Sequence, residues 1–361
     1  MRSYIPIVFI IAGLLMCTSC VKKEPVPQKH TAKLAGMTGD YLGQTPPGAT
    51  PQLFAPGIVS TGLYERDVTM MPDGNELYFG LIASNDVAIV GMKRENGVWT
   101  KPEIASFCSD PDVYNLEPHI TPDGKQFLFL STRPKEGQEK KPGWVYQDIW
   151  AMDRKGDTWG EPYNLGDPAD KHEPVNTDAP EYYPSATRNG TLYFTREVTE
   201  NGKSRSLILR SQAMYMVHSE NRFYGKPEIL PAAVNPGDQQ FNAFIDPDER
   251  YLIVCIANYK DNIGRCDYYV SFRSEDDVWT GPINMGELIN TPGNNVGSPS
   301  VSPDGRYFFF ASNRQQLSGA AESTRTYETI QEMVTQPQNG NSDIYWIDAS
   351  FIETLRPKPG P

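Results

Sequence analysis

The feature that most constrains this chain is a short pattern that recurs five times. An apolar stretch runs into a tight turn and out again into a run of β-forming residues. The copies are DVTMMPDGNELYFG from Asp67, EPHITPDGKQFLFLS from Glu117, YPSATRNGTLYFT from Tyr183, NAFIDPDERYLIVC from Asn242 and SPSVSPDGRYFFFAS from Ser298. Their turns are Pro72-Asp73-Gly74, Pro122-Asp123-Gly124, Arg188-Asn189-Gly190, Pro247-Asp248-Glu249 and Pro303-Asp304-Gly305. Proline presets φ at the first corner, Asp or Asn caps the turn, and Gly tolerates positive φ, so each copy reads as a β-hairpin. Glu249 replaces Gly in the fourth copy, so that turn is expected to be the most strained or of another type. The turn residues at 73, 123, 189, 248 and 304 are 50, 66, 59 and 56 residues apart, which suits one four-stranded blade plus loops.

A second motif follows each of the first four turns. Trp99 with Pro102, Trp159 with Pro162, Phe223 with Pro227 and Trp279 with Pro282 mark the hairpin into an outermost strand. Between the two motifs lies a third strand, clearest at Asp148-Ile149-Trp150, Asp267-Tyr268-Tyr269 and Asp343-Ile344-Tyr345-Trp346. After Asp343 to Ile347 no outer strand follows. The segment PQLFAPGIVST from Pro51 aligns with PINMGELINT from Pro282, so the N-terminal segment is expected to complete the last blade and close the ring. Closure removes the exposed sheet edges that would invite aggregation. The fold expected is an all-β, five-bladed β-propeller with an N-terminal strand closing the last blade, with six blades as the alternative.

These turn and strand motifs resemble the PD40 (WD40-like, TolB-type) repeats of bacterial envelope propellers, over about residues 50 to 350. The resemblance implies architecture and leaves function open, because the same repeat serves binding proteins, peptidase propellers and lyases.

The first residues read as targeting. Arg2 precedes an apolar run from Tyr4 to Met16, too short for a lasting membrane span, and then Cys17-Thr18-Ser19-Cys20. Small residues before a cysteine resemble the lipobox of bacterial lipoproteins, which implies a signal peptide over 1–19 and lipidation of Cys20; Cys17 stands where such boxes carry Leu, and a plain secretory signal is the other reading. Residues 20–48 are expected to be a flexible tether and 49–361 the propeller. The expected location is the cell envelope, periplasmic or surface-exposed, with the outer membrane favoured because Val21 follows the lipidated Cys20. Cys108, Cys255 and Cys266 remain, and an odd number cannot all pair internally. Cys255 and Cys266 fall on neighbouring strands, so either a disulfide or two buried thiols would fit. The net charge of −12 argues against nucleic acid, whose binding rests on cationic side chains.

Alternate residues of each innermost strand face the propeller channel. One level holds Asp67, Glu117, Tyr183, Asn242 and Ser298; the next holds Thr69, His119, Ser185, Phe244 and Ser300. This polar ring is either a binding surface or a solvated channel. Arg133, Arg196 and Arg314 close the second strands near Asp148, Asp267 and Asp343, as an anion-binding rim or as ion pairs of Arg133 with Asp148 and Arg314 with Asp343. Long loops at Pro134 to Gln147 and Gln315 to Asn341, the second with a short helix around Ala321 to Val334, belong to the same face. The four histidines are scattered, no nucleophile, phosphate-loop or metal-ligand motif is present, and neither cofactor nor metal is expected. The function expected is a non-catalytic, monomeric envelope lipoprotein whose propeller face binds a protein or glycan, with Asp67, Glu117, His119, Tyr183, Asn242, Ser298, Arg133, Arg196 and Arg314 at the mouth. The alternative is a glycan-active hydrolase or lyase with Asp67 and Glu117 as paired carboxylates.

Overall fold

A computed structural model describes residues 36–166, 175–215, 222–315 and 326–358. The expected Cys20 lipidation and its signal peptide lie outside these residues.

The chain forms a five-bladed β-propeller, each blade an antiparallel sheet. Blade 1 follows β1 (Gln52–Leu53) and contains β2 (Tyr64–Met70), β3 (Glu76–Ala83), β4 (Asp86–Glu95) and β5 (Glu103–Ile104). Blade 2 contains β6 (Asn115–Ile120), β7 (Gln126–Ser131), β8 (Asp148–Lys155) and β9 (Tyr163–Asn164). Blade 3 contains β10 (Glu181–Ala186), β11 (Leu192–Glu200), β12 (Lys203–Ser211) and β13 (Glu228–Ile229). Blade 4 contains β14 (Gln240–Ile245), β15 (Tyr251–Ala257), β16 (Cys266–Phe272) and β17 (Ile283–Asn284). Blade 5 contains β18 (Pro299–Val301), β19 (Tyr307–Ser312) and β20 (Asp343–Asp348), and β1 is its outer strand. Gln52 pairs with Trp346 and Leu53 with Tyr345, so the N-terminal segment closes the ring as its alignment implied.

The turns behave as their composition dictates. Gly74, Gly124, Gly190 and Gly305 take positive φ, and Asp123 and Asp304 each accept a hydroxyl from the residue two before. Glu249 takes the glycine's left-handed conformation at φ 56°. Its carboxylate is held by Tyr193 Oη at 2.7 Å and Arg273 Nη1 at 2.9 Å, which offsets a strain of about 1–3 kcal/mol.

Between blades the core is apolar and aromatic. Phe308 and Phe310 of blade 5 pack with Tyr268 and Phe272 of blade 4, and Phe54, Phe309 and Trp346 pack with Leu77 and Phe79 of blade 1. Of the aromatics expected to enter the outer strands, Trp99 and Trp279 are buried and Trp159 is half-buried, and in blade 3 Tyr224, next to the expected Phe223, is buried. Residues 37–44, inside the segment expected to be tether, are docked: Tyr41 packs edge-on against Tyr307, and Trp99 Nε1 donates to Gly39 O at 2.9 Å.

One device recurs in four of the five connections between blades and is not visible in the turn pattern. Asn176, Asn235 and Asn290 each clamp both backbone groups of one residue in the third strand of the preceding blade. Asn290 Nδ2 donates to Tyr268 O at 3.0 Å while Tyr268 N donates to Asn290 Oδ1 at 2.8 Å. Asn176 does this to Ile149 and Asn235 to Ile208. Ser60 performs it on Ile344 across the seam where the ring closes.

Candidate functional site

The ring positions read from the sequence do converge on the propeller axis. Asp67, Glu117, Tyr183 and Asn242 each lie at a β-bulge where the register of the innermost strand shifts by one residue. All four take left-handed φ of 52–58°, uncommon for residues with a Cβ. The bulge turns each ring amide out of its own ladder toward a neighbouring side chain. Tyr183 N donates to Glu117 Oε2 at 2.7 Å, Asp67 N to Ser298 Oγ at 2.8 Å, and Asn242 N to Thr195 Oγ1 at 3.1 Å. Ser298 N donates to Tyr268 Oη at 2.9 Å, and the Ser298 hydroxyl also donates to Asp67.

The next level repeats the stapling. Thr69 Oγ1 accepts from Ile120 N at 3.1 Å, His119 Nε2 from Ala186 N at 2.9 Å, and Ser185 Oγ from Ile245 N at 3.0 Å. Each acceptor lies one blade before its donor. His119 must be unprotonated at Nε2 to accept, and burial pushes its pKa down to about 4.

The five ring residues are therefore 3–6% exposed rather than open to solvent. Tyr183 crosses the channel, its hydroxyl donating to Pro299 O at 3.0 Å on the far side. Burial holds that phenol well above its ordinary pKa. Arg66 lies between the two carboxylates, with Nε 2.7 Å from Asp67 Oδ2 and Nη2 3.2 Å from Glu117 Oε1. Burial, reinforced by the Asp67 charge, raises the Glu117 pKa above the usual carboxylate range, against the pull of Arg66 and the Tyr183 amide. Arg66 is the residue of this cluster that the alternation of the strand did not single out.

The three candidate rim arginines share a different task. Arg133 Nη2 donates to Phe107 O at 2.9 Å, Arg196 Nη2 to Val175 O at 2.7 Å, and Arg314 Nη2 to Ile289 O at 2.8 Å. For Arg196 and Arg314 the carbonyl lies one residue before the asparagine that clamps the third strand, Asn176 or Asn290. Each guanidinium also lies over an aromatic ring of its own blade, Phe129 and Trp150, Phe194, or Phe310 and Tyr345. The expected ion pairs do not form: Asp148 meets Lys135 at 3.1 Å, and Asp343 accepts the Gln338 amide at 2.6 Å. The ion pair that does form is Arg196 with Glu181, at 2.6 Å.

Cys255 and Cys266 lie on neighbouring strands as free, buried thiols, and Cys108 is also free and buried. Among the described residues no group of three or more His, Cys, Asp or Glu is placed to hold a metal ion.

The loops of the second expected site carry exposed apolar groups. Trp144 and Val145 are exposed in the blade 2 loop, with Trp144 edge-on to Tyr114 at 5.1 Å. In blade 5, helix α1 (Tyr327–Val334) opens with a Thr326 cap and exposes Tyr327, Ile330, Met333 and Val334.

No family model matches the chain, and no curated protein matches it. Solved structures that resemble it include TolB from Acinetobacter baumannii, at 15% identity and TM-score 0.41, covering 80% of this chain. This chain spans 57% of that TolB chain. The putative TolB from Agrobacterium tumefaciens is 13% identical over 79% of this chain and 90% of its own, at TM-score 0.40. The native arabinanase Arb43A of Bacillus subtilis is 10% identical, covering 82% of this chain and 98% of its own, at TM-score 0.48. The chain is a β-propeller with both TolB-type and glycoside hydrolase propellers among its structural neighbours, and no residue role is carried over from either.

Proposed function

We propose that this protein is a non-catalytic binding scaffold of the cell envelope, held by a lipid at Cys20, whose partner docks on the loop face formed by Pro134 to Gln147 and by helix α1. The observation that carries this reading is the closed channel mouth. Glycoside hydrolysis needs two carboxyl groups flanking an open cleft, with room for a sugar ring and a water. Here Asp67 and Glu117 share the Arg66 guanidinium, Glu117 also accepts a backbone amide, and Tyr183 lies across the axis. Every one of these groups is engaged in holding blades together. The apolar side chains of α1 and of Trp144 and Val145 are exposed on this face, and exposed apolar groups mark interaction surfaces.

The test is crosslinking in intact envelopes from residues 327 and 144, comparing wild type with Ile330→Asp/Met333→Asp and with Glu117→Gln. The scaffold reading expects one specific crosslinked partner that survives Glu117→Gln and is lost in the α1 variant. Cleavage of an envelope or plant glycan by the wild type, abolished by Glu117→Gln in a folded protein, would replace it with the hydrolase reading.

A further inference from the structure

The five blades are built to one plan, so a position that lacks the partner its equivalents possess stands out. Two such positions meet at the seam where blade 5 closes on blade 1. In blade 3, Glu181 takes the Thr177 hydroxyl at 2.6 Å, the Thr177 amide at 2.9 Å and Arg196 Nε at 2.6 Å. Glu65 is its counterpart in blade 1 and accepts the hydroxyl of Thr61, again four residues back. The residue opposite it on β3 is Leu81, whereas Arg196 lies opposite Glu181. Glu65 Oε2 consequently has no hydrogen-bond partner, in a residue that is 1% exposed.

The same holds for Asp343. Asp148 receives Asn164 Nδ2 at 2.9 Å and Lys135, and Asp267 receives Asn284 Nδ2 at 3.0 Å and two backbone amides. Asn164 and Asn284 come from the outer strands, paired to Trp150 and Tyr269. In blade 5 the outer strand is β1, and Leu53 occupies that register against Tyr345. Asp343 keeps the Gln338 amide on Oδ2, and its Oδ1 is buried without a partner.

The two carboxyls are neighbours. Glu65 N donates to Ser342 O and Ser342 Oγ donates to Glu65 O, both at 2.8 Å, across the seam. Among the described residues no cation pairs with either carboxyl. Arg66 turns to Asp67 and Glu117, and Arg314 turns to the Leu288 and Ile289 carbonyls and the ring of Tyr345. The Tyr345 hydroxyl accepts Gln338 Nε2 at 2.8 Å.

We propose that Glu65 and Asp343 form a proton-holding carboxyl pair on the ring seam, a pH-sensitive latch between the first and last blades. Two buried carboxylates with no cation cannot both stay ionised, and a retained proton gives an otherwise orphaned oxygen a hydrogen to share. Burial, the main cause at each group, pushes both pKa values to about 7, and the Glu65 charge adds to the rise at Asp343. The sign follows by linkage: the folded state binds the proton more tightly than the unfolded chain. The latch is at full strength below the ordinary carboxylate range near pH 4 and is lost as pH rises through about 7. The pair lies at the root of α1, because Gln338 is held by Asp343 while Asn339 and Asn341 donate to Gly62 O at 2.9 Å each.

The test is thermal unfolding of the full chain between pH 5.5 and 9, for wild type, Glu65→Gln, Asp343→Asn and the double variant. The amides keep the shape and remove the charge. The double variant is expected to melt about 3 °C above wild type at pH 8.5 and to lose most of that advantage at pH 5.5. Carbon NMR of the side-chain carboxyls in wild type gives a reading that no substitution can spoil, with two midpoints near 7 expected. Glu65 and Asp343 midpoints both below 5, or variants that track wild type at every pH, would overturn the latch. A calcium-dependent rise in melting temperature, lost in both single variants, would overturn it too by placing a cation where the proton is assigned.

Discussion

Replacing Arg66 by Met is the sharpest perturbation of the ring. The guanidinium is 16% exposed and lies within 3.2 Å of both the Asp67 and Glu117 carboxylates. Methionine preserves most of the apolar stem and removes the charge. Breaking a buried ion pair from one side costs about 3–5 kcal/mol, because the remaining charge is left uncompensated. Two carboxylates depend on this one cation. The cost is capped, however, because Glu117 can take up a proton, and its pKa is already raised. The expected loss is about 3–4 kcal/mol at pH 8, or a fall in melting temperature of roughly 8 °C for a domain of this size. At pH 5 the loss should be smaller by half or more, since the carboxyls can neutralise themselves. Adding Asp67→Asn and Glu117→Gln to Arg66→Met should recover most of the loss, and Asn suits the left-handed backbone at position 67. Denaturant unfolding of wild type, Arg66→Met, Asp67→Asn/Glu117→Gln and the triple variant at pH 5 and pH 8 makes a complete cycle. A loss under about 1 kcal/mol at pH 8, or one that neither pH nor the neutral partners change, would refute the ring as an electrostatic unit.

Three further outcomes are expected. Because His119 accepts the Ala186 amide only when unprotonated, wild type should lose about 2 kcal/mol as pH falls from about 6.5 through about 4, and His119→Gln should flatten that slope in acid unfolding curves. Gly297→Ala should destabilise by about 2 kcal/mol, since a Cβ there would collide with Cys255 Sγ and sit 2.8 Å from Cys255 Cβ, and Cys255→Ala should restore only the part due to the sulfur in thermal melts. Asn290→Ala should cost about 2 kcal/mol in denaturant unfolding, by stripping the buried Tyr268 amide of its acceptor and leaving its carbonyl with the Met285 amide alone.

The architecture was legible because each blade advertises itself locally. Proline, Asp and Gly at one corner have few conformations open to them, and five such corners at blade spacing leave little choice of fold. The closing strand was legible for the same reason, as Pro51 and Pro282 begin matching outer strands. The orientation of the ring residues was legible only in part. Alternation assumes a regular pleat, and the bulges at Asp67, Glu117, Tyr183 and Asn242 break it by one residue. No residue type signals left-handed backbone in Glu117 or Tyr183, so the inward stapling and the part played by Arg66 were hidden. The arginines at 133, 196 and 314 recur visibly, yet their acceptors are carbonyls, which a sequence does not display. The clamp of Asn176, Asn235, Asn290 and Ser60 was missed because its spacing from the turn varies with loop length. The recurring Val-Asn, Ile-Asn and Val-Ser pairs before four of the five innermost strands were the available signal.

The channel mouth is a joint sealed between blades, and the binding proposed for this protein is assigned to the loop face instead. Amide hydrogen exchange at the ring tests it most directly. The amides of Asp67, Tyr183, Asn242, Ala186 and Ile245 are expected to exchange only through global unfolding, at one common slow rate, while those of residues 135–146 exchange fast. Fast exchange at Tyr183 and Asn242 under native conditions would mean an open mouth, and would return the channel carboxylates to candidacy as a reactive site.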